Sequence, residues 1–192
     1  MKTITVFIAL LWLQLMSGCS AVISAPESVQ QPREVQLLLH SRHSTLLLTK
    51  ADQSRLRYSF GDWAWYVENN QSLATGSRAL FTGSKGALGK QLIAAKTPGE
   101  HLATKIGVGI DKAYLFQVEA ARVDALIYAL ENQYAQSTVP PFYSAERHLN
   151  FIPHNQYSYR YNSNHQVADW LRALGVTVKG NPALGNWRVE EN

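Results

Sequence analysis

The chain has 192 residues, of which 46% are hydrophobic, 10% aromatic and 17% charged, a balance typical of a globular domain and incompatible with a long disordered chain. Its single cysteine excludes an internal disulfide framework. The net charge of +4 comes from basic residues scattered along the sequence, so no nucleic-acid partner is expected.

The N-terminus has the three parts of a secretory signal. Lys2 gives a positive start, residues 4–16 are apolar apart from two polar positions, and the small residues Ser17 and Gly18 follow. The apolar run is shorter than the ~20 residues that a membrane-spanning helix needs. We therefore assign residues 1–18 to a signal peptide that is removed from the mature protein.

Cys19, the only cysteine, stands where such a signal would be cleaved. The stretch Met16-Ser17-Gly18-Cys19 resembles the lipobox of bacterial lipoproteins, in which the cysteine is lipidated and becomes the new N-terminus. The resemblance implies a membrane anchor on Cys19. The next residue is Ser20 and not aspartate, which resembles the sequence of lipoproteins that are sorted to the outer membrane. A plain signal peptide that leaves a free thiol is the alternative.

Residues 19–32 are predicted to form the lipidated N-terminus and a tether. They contain two prolines, small polar residues and one charged residue, Glu27. A single folded domain is therefore expected over residues 33–192.

Alternating apolar residues along 35–39, 43–49 and 55–60 predict three strands of an antiparallel meander, with one face more exposed to solvent than the other. Residues 72–96 hold several glycines among apolar residues, which favours short helices joined by loops. A strand is predicted at 114–118 and a helix at 120–136, where apolar residues recur at helical spacing.

The last elements predicted are a strand over 157–161 and a helix that starts at the turn Asn162-Ser163-Asn164 and stops at Gly175. The strands and helices do not alternate regularly. This order favours an α+β fold, an antiparallel sheet with packed helices.

Three common motifs fail on spacing. The glycines near Lys90 do not have phosphate-loop spacing, and Gly107-Val108-Gly109 lacks the third glycine of a dinucleotide fingerprint. On one strand, the odd offset of His40 and His43 would send them to opposite faces, so a zinc site would need a turn between them and a third ligand. Neither a nucleotide cofactor nor a metal is expected.

Chemistry-bearing residues stand at the two ends of the domain. His43 opens a predicted strand, and Ser163 lies at the start of the last predicted helix. A helix N-terminus stabilises negative charge on a nucleophile or on an oxyanion beside it, and a histidine from another strand can act as its base.

Three segments carry a resemblance to a known family. They are His43-Ser44-Thr45-Leu46, Phe60-Gly61-Asp62-Trp63, and Tyr161-Asn162-Ser163-Asn164 followed by Trp170-Leu171-Arg172-Ala173-Leu174-Gly175. Together they resemble the circularly permuted branch of the NlpC-type, papain-like superfamily, in which the histidine comes first and an Asn-Cys-Asn nucleophile turn comes late. The resemblance covers the first third and the last fifth of the domain.

Residue by residue, the resemblance makes His43 the general base, puts Ser163 at the position of the nucleophilic cysteine, and makes Asp62 the nearest candidate for the orienting group. A serine hydroxyl is a much weaker nucleophile than a thiolate and needs a well-aligned base. The residues also allow structural roles. Ser163 and Gln166 match the pattern of a helix capping box. His43 can be a sheet residue whose ring is satisfied by hydrogen bonds, and Asp62 can be a carboxylate that stabilises a turn.

Together with the lipobox, the resemblance implies an outer-membrane lipoprotein that faces the periplasm. Its hydrolase-like domain would act, as a serine-type enzyme, on amide or ester bonds of a peptidoglycan peptide or a lipid. The alternative is a non-catalytic lipoprotein of the same fold that binds an envelope ligand or partner between His43 and Ser163. Catalysis requires a His43 nitrogen within about 3.2 Å of the Ser163 hydroxyl, or somewhat farther without substrate.

Overall fold

The structure, a computed structural model, describes residues 20–95 and 101–190. The predicted signal peptide and Cys19 lie outside these described residues. In chain order, the strands are β1 (Ala21–Ser24), β2 (Pro32–His40), β3 (His43–Thr49), β4 (Arg55–Asp62), β5 (Ser84–Ile93), β6 (Lys112–Glu119), β7 (Phe142–Ser144), β8 (Leu149–Tyr157), β9 (Thr177–Gly180) and β10 (Trp187–Val189). The helices are α1 (Trp63–Tyr66), α2 (Leu73–Phe81), α3 (Leu102–Ile106), α4 (Ala120–Gln136) and α5 (Ser163–Ala173).

Seven of these strands form one antiparallel sheet in the order β6-β2-β3-β4-β5-β8-β7. The predicted α+β class is therefore confirmed. The three-strand meander is confirmed as well, since β2, β3 and β4 pair in sequence order.

Helices α4 and α5 pack on one face of this sheet and bury the main core with it. The bounds of α4 are those predicted from its apolar spacing, and its buried residues are Val123, Leu126 and Leu130. In α5, Trp170 meets Tyr58 of β4 edge to face, with ring centroids 6.3 Å apart. The predicted stop at Gly175 is confirmed, because this residue follows the helix with a φ of +88° that glycine adopts without strain.

The opposite face of the sheet is covered too, so the prediction of a more solvent-exposed face is wrong. Every residue of β4 is buried. Leu38, Leu47 and Ile93 form a second apolar cluster with Ile106 of α3. The alternation of arginine and serine in β4 looks solvated in sequence, but α3 and the chain after it fold over these side chains.

The glycine-rich stretch at 72–96 contains a long strand, which the sequence prediction missed. Helix α2 fits the prediction, whereas β5 occupies the second half of the stretch. Its glycines mark close packing: a Cβ on Gly86 would lie 2.0 Å from the Asn155 carbonyl oxygen, and one on Gly89 would lie 2.5 Å from the Phe151 ring. Glycine in a strand can indicate such an approach as well as a loop.

The predicted strand over 157–161 is also misplaced. Strand β8 ends at Tyr157, and the chain then turns, with Ser158 and Tyr161 joined by an isolated bridge. This turn brings the chain from the sheet to the start of α5.

The N-terminal segment predicted as a tether takes part in the fold. Strand β1 lies between β9 and β10, antiparallel to the first and parallel to the second. Ala21 and Ile23 are fully buried in the main core. The ordered domain therefore reaches back to residue 21 instead of starting at 33, because two alternating apolar side chains suffice to dock so short a strand.

Candidate functional site

One cavity of about 270 Å³ is lined by all three predicted catalytic residues, His43, Asp62 and Ser163. They come from the start of β3, the end of β4 and the start of α5. Tyr66 and Tyr157 contribute to the same wall. Residues far apart in sequence are thus brought to one cavity, and their contacts decide what they can do there.

The N-terminus of α5 is capped by Asn162, and the predicted cap at Ser163 is wrong. The Asn162 side chain accepts hydrogen bonds from the backbone N–H groups of Asn164, at 3.0 Å, and His165, at 3.3 Å. In return, His165 Nδ1 accepts the Asn162 N–H at 3.3 Å. Asparagine caps at least as well as serine, and the histidine ring takes the part that Gln166 had in the sequence prediction.

Ser163 is the first residue of α5 and is only 2% exposed. Its hydroxyl and backbone N–H face the phenol of Tyr157. Burial raises the pKa of Tyr157 to about 12, although these two interactions with Ser163 favour the phenolate. At neutral pH the hydroxyl of Ser163 therefore faces a neutral phenol, which is not a proton acceptor strong enough to activate it.

His43 is held by Ser59, a residue that no sequence motif indicated. The distance from His43 Nε2 to Ser59 Oγ is 3.0 Å, and the imidazole packs against Tyr66 with ring centroids 5.4 Å apart. Ser59 pairs with Thr45 across β3 and β4, so a predicted register for these two strands could have placed Ser59 near His43. Among the hydrogen bonds of residues 20–95 and 101–190, none joins His43 to Ser163.

The surroundings of His43 oppose a positive charge on its ring. Burial, and after it the nearby His40, Arg57 and Arg147, together lower its pKa to about 3. His43 is therefore neutral at physiological pH. It is also a poor general base, since the imidazolium that forms when it accepts a proton is destabilised.

Asp62 has contacts that fix the chain around it. It is 3% exposed, and its carboxylate accepts the backbone N–H of Trp65 at 2.7 Å, which caps α1. The carboxylate also accepts the hydroxyl of Ser84. In the described part of the chain no hydrogen bond links Asp62 to His43, so its predicted orienting role has no contact to support it.

Asn164 joins the start of α5 to two other parts of the fold, a role that no sequence pattern indicated. Its side chain is buried; it accepts the Ser44 hydroxyl at 2.7 Å and donates to the carbonyl oxygens of Arg42, at 2.9 Å, and Ala183, at 3.2 Å. Trp187 Nε1 donates to the same Ser44 oxygen at 2.8 Å. Because successive strand residues point to opposite faces, Ser44 turns toward α5 and its neighbour His43 turns away.

The described residues contain no cluster of three or more histidine, cysteine or acidic side chains that could hold a metal ion. Over the same residues, no helix is both long and apolar enough to cross a bilayer. No family model, curated protein or solved structure matches the chain.

Proposed function

We propose that the chain is an outer-membrane lipoprotein, anchored through Cys19 and facing the periplasm, whose permuted papain-like domain binds an envelope ligand without cleaving it. One observation carries the non-catalytic part. His43 is hydrogen-bonded to Ser59, while Ser163 faces Tyr157. The base and the nucleophile of the hydrolase hypothesis thus have separate partners.

Electrostatics support the same conclusion. A serine hydrolase requires its histidine to take up the serine proton, and a carboxylate commonly stabilises the imidazolium that results. The pKa of His43 is lowered by burial and then by positive neighbours, and Asp62 is engaged elsewhere. These features disfavour the protonated histidine, whereas a binding pocket does not need it.

The permuted papain-like arrangement is proposed from the order of the elements. The histidine lies on an early strand, and the helix with the Asn-Ser-Asn turn comes late and packs against the same sheet. In this arrangement Ser163 replaces the reactive cysteine, which fits a domain that has kept the fold of its relatives without their chemistry.

The expected ligand is the peptide of peptidoglycan, bound through one end. A cavity of about 270 Å³ is at the lower limit for small-molecule sites, so it holds a fragment of a larger ligand. Trp65 and Tyr66 give it an apolar wall. Arg42 also lines it, and among the described residues the exposed guanidinium of Arg42 has no ion-pair partner, which suits a peptide carboxylate.

The peptide should bind and remain intact. We expect a soluble stem peptide with a free C-terminal carboxylate to change the tryptophan fluorescence of the Cys19→Ala protein, because Trp65 lines the cavity. Arg42→Gln should weaken binding about tenfold, which is ~1.4 kcal/mol, and the amidated peptide should behave like the free peptide on that variant. Cleavage seen by mass spectrometry would establish a hydrolase, and an unchanged fluorescence would refute peptide binding.

A thiol at position 163 should not depend on His43. In the Cys19→Ala background, Ser163→Cys leaves a single thiol whose alkylation can be followed across pH. We expect its apparent pKa to be the same with and without His43→Ala, because among the described residues His43 bonds to Ser59 and not to Ser163. The matched control is His101→Ala, which removes an exposed histidine without a side-chain capping bond. A thiol pKa well below about 8.5 that rises only with His43→Ala would instead favour the catalytic pair.

The anchor makes its own prediction. Cys19→Ala should abolish palmitate labelling and release the protein from the membrane fraction. In Ser20→Asp, labelling should persist, but the protein should move from the outer to the inner membrane, as the lipoprotein resemblance implies. Continued membrane attachment of Cys19→Ala would contradict lipid anchoring.

A further inference from the structure

A second cavity, of about 160 Å³, lies behind the His43 and Tyr66 side chains, which also line the first. Its wall carries two arginines, Arg57 and Arg147, and no aspartate or glutamate. The arginines, with the hydroxyls of Thr45 and Ser59, give part of the wall positive charge and hydrogen-bonding groups, and the rest of the wall is largely apolar. The two cavities adjoin and share His40, His43, Trp65 and Tyr66, but the two arginines line only the second one.

Arg57 is the unusual member of this wall, since it is only 1% exposed. Its guanidinium donates to two backbone carbonyl oxygens, those of Ile106, at 3.0 Å, and Arg147, and its buried Nε has no partner. Burial lowers the pKa of Arg57 to about 10, so the group is still charged at neutral pH. A buried charge needs a counter-ion, and the described residues supply none to it.

The acidic side chains near this cavity lie at its edge and have other partners. Glu146 accepts from Arg147 at 2.9 Å, but its own side chain is 65% exposed. Asp111 is close enough to act on His40, yet its carboxylate accepts the Ser41 backbone N–H. Neither carboxylate lines the cavity.

The hydrogen bonds of His40 and His43 show which hydroxyl of the cavity can donate to a ligand. His40 Nδ1 lies 2.6 Å from the carbonyl oxygen of Gly109, which can only accept, so Nδ1 carries the proton of the neutral ring. His40 Nε2 is then an acceptor, and the Thr45 hydroxyl donates to it at 3.0 Å. In the described ranges no carbonyl oxygen bonds to the His43 ring in this way, so Ser59 can accept from His43 and donate into the cavity.

We propose that this cavity binds a small oxyanion of the phosphate, sulfate or carboxylate class, with Arg57 and Arg147 supplying the charge and Ser59 a hydroxyl. The volume is roughly ten times the ~10–15 Å³ that one water needs, enough for a polyatomic anion. The bound anion supplies the counter-ion that Arg57 lacks and lies within reach of the imidazole of His43.

The test is a titration of the Cys19→Ala protein with inorganic phosphate at pH 7 and constant ionic strength, chloride making up the balance. We expect a saturable rise in Tm and a saturable heat of binding in calorimetry. Competition with sulfate and with acetate then separates a tetrahedral from a planar anion. Arg147→Gln should weaken phosphate binding at least tenfold, and Ser59→Ala should weaken it severalfold.

Arg172→Gln is the matched control, because it removes an arginine from the exposed ion pair with Asp169 on α5. It should leave phosphate binding unchanged. A response that does not saturate, or one that Arg147→Gln and Arg172→Gln reduce equally, overturns the proposal. Arg57→Gln adds direct evidence if it folds, and the two other cavity variants decide the question if it does not. Arg42 lines only the first cavity and Arg147 only the second, so Arg42→Gln and Arg147→Gln distinguish a failure of the peptide site from a failure of the anion site.

Discussion

Asn164→Ala is expected to lower the Tm of the protein by roughly 6–12 °C, from a loss of about 3 kcal/mol at ~2–4 °C per kcal/mol for a chain of this size. The substitution removes the Asn164 donor from the carbonyl oxygen of Arg42, and it removes one of the two donors to the carbonyl oxygen of Ala183, which keeps its hydrogen bond from the Asn162 amide. It also removes the acceptor of the Ser44 hydroxyl. The measurement is thermal unfolding followed by circular dichroism.

Two further variants show whether this network is the cause. Asn164→Asp keeps an acceptor for Ser44 but has no donor for the two carbonyls and buries a charge, so it should destabilise at least as much. Asn155→Ala is the matched control, since Asn155 is exposed, and its Tm should be near that of the unchanged protein. Equal Tm values for Asn164→Ala and Asn155→Ala would contradict the arrangement at the start of α5.

Gly86→Ala should destabilise the chain by about 3 kcal/mol or more, at the upper end of the range for overpacking. The added Cβ would lie 2.0 Å from the backbone oxygen of Asn155 and 2.6 Å from the Phe60 ring. Backbone cannot move aside as a flexible side chain can, so β5 and β8 would have to separate at the bulge where Gly86 pairs with His154. Urea unfolding measures the effect as a lower midpoint.

Gly109→Ala is the control for Gly86→Ala because a Cβ there meets nothing within 4 Å. It should be neutral or slightly stabilising, since alanine reduces the freedom of the unfolded chain. If both variants unfold at the same urea concentration, the close approach of β5 to β8 is wrong.

The sequence could place the strongly periodic elements because their apolar spacing is itself the cause of the structure. Helix α4 and the meander of β2, β3 and β4 follow from patterns within one segment. Strands β1 and β5 did not follow. The first is too short to show a pattern, and the second has glycines at positions where neighbouring strands leave no room for a side chain.

The cavity that His43 shares with Ser163 could be predicted from the resemblance, but their chemistry could not. Whether the His43 ring bonds to Ser163 or to Ser59 depends on the direction in which its side chain points from the first residue of β3. A sequence pattern does not predict side-chain direction at the end of a strand. The positive surroundings of His43 were hidden for another reason. Arg57 reads as a solvent-facing residue of an alternating strand until α3 is seen to cover it.

The pairing of β1 with β9 and β10 has a consequence for the order in which the molecule can form. This small sheet joins residue 21 to residues 180 and 187, so it closes nearly the whole chain into a loop. Contacts of such long sequence separation form late and slow the folding reaction, because most of the loop entropy is lost before they are made. The last step of folding is therefore expected to need both ends of the chain at once. A nascent or truncated chain that lacks either end would expose the edges of the remaining strands and would be prone to pair with another copy.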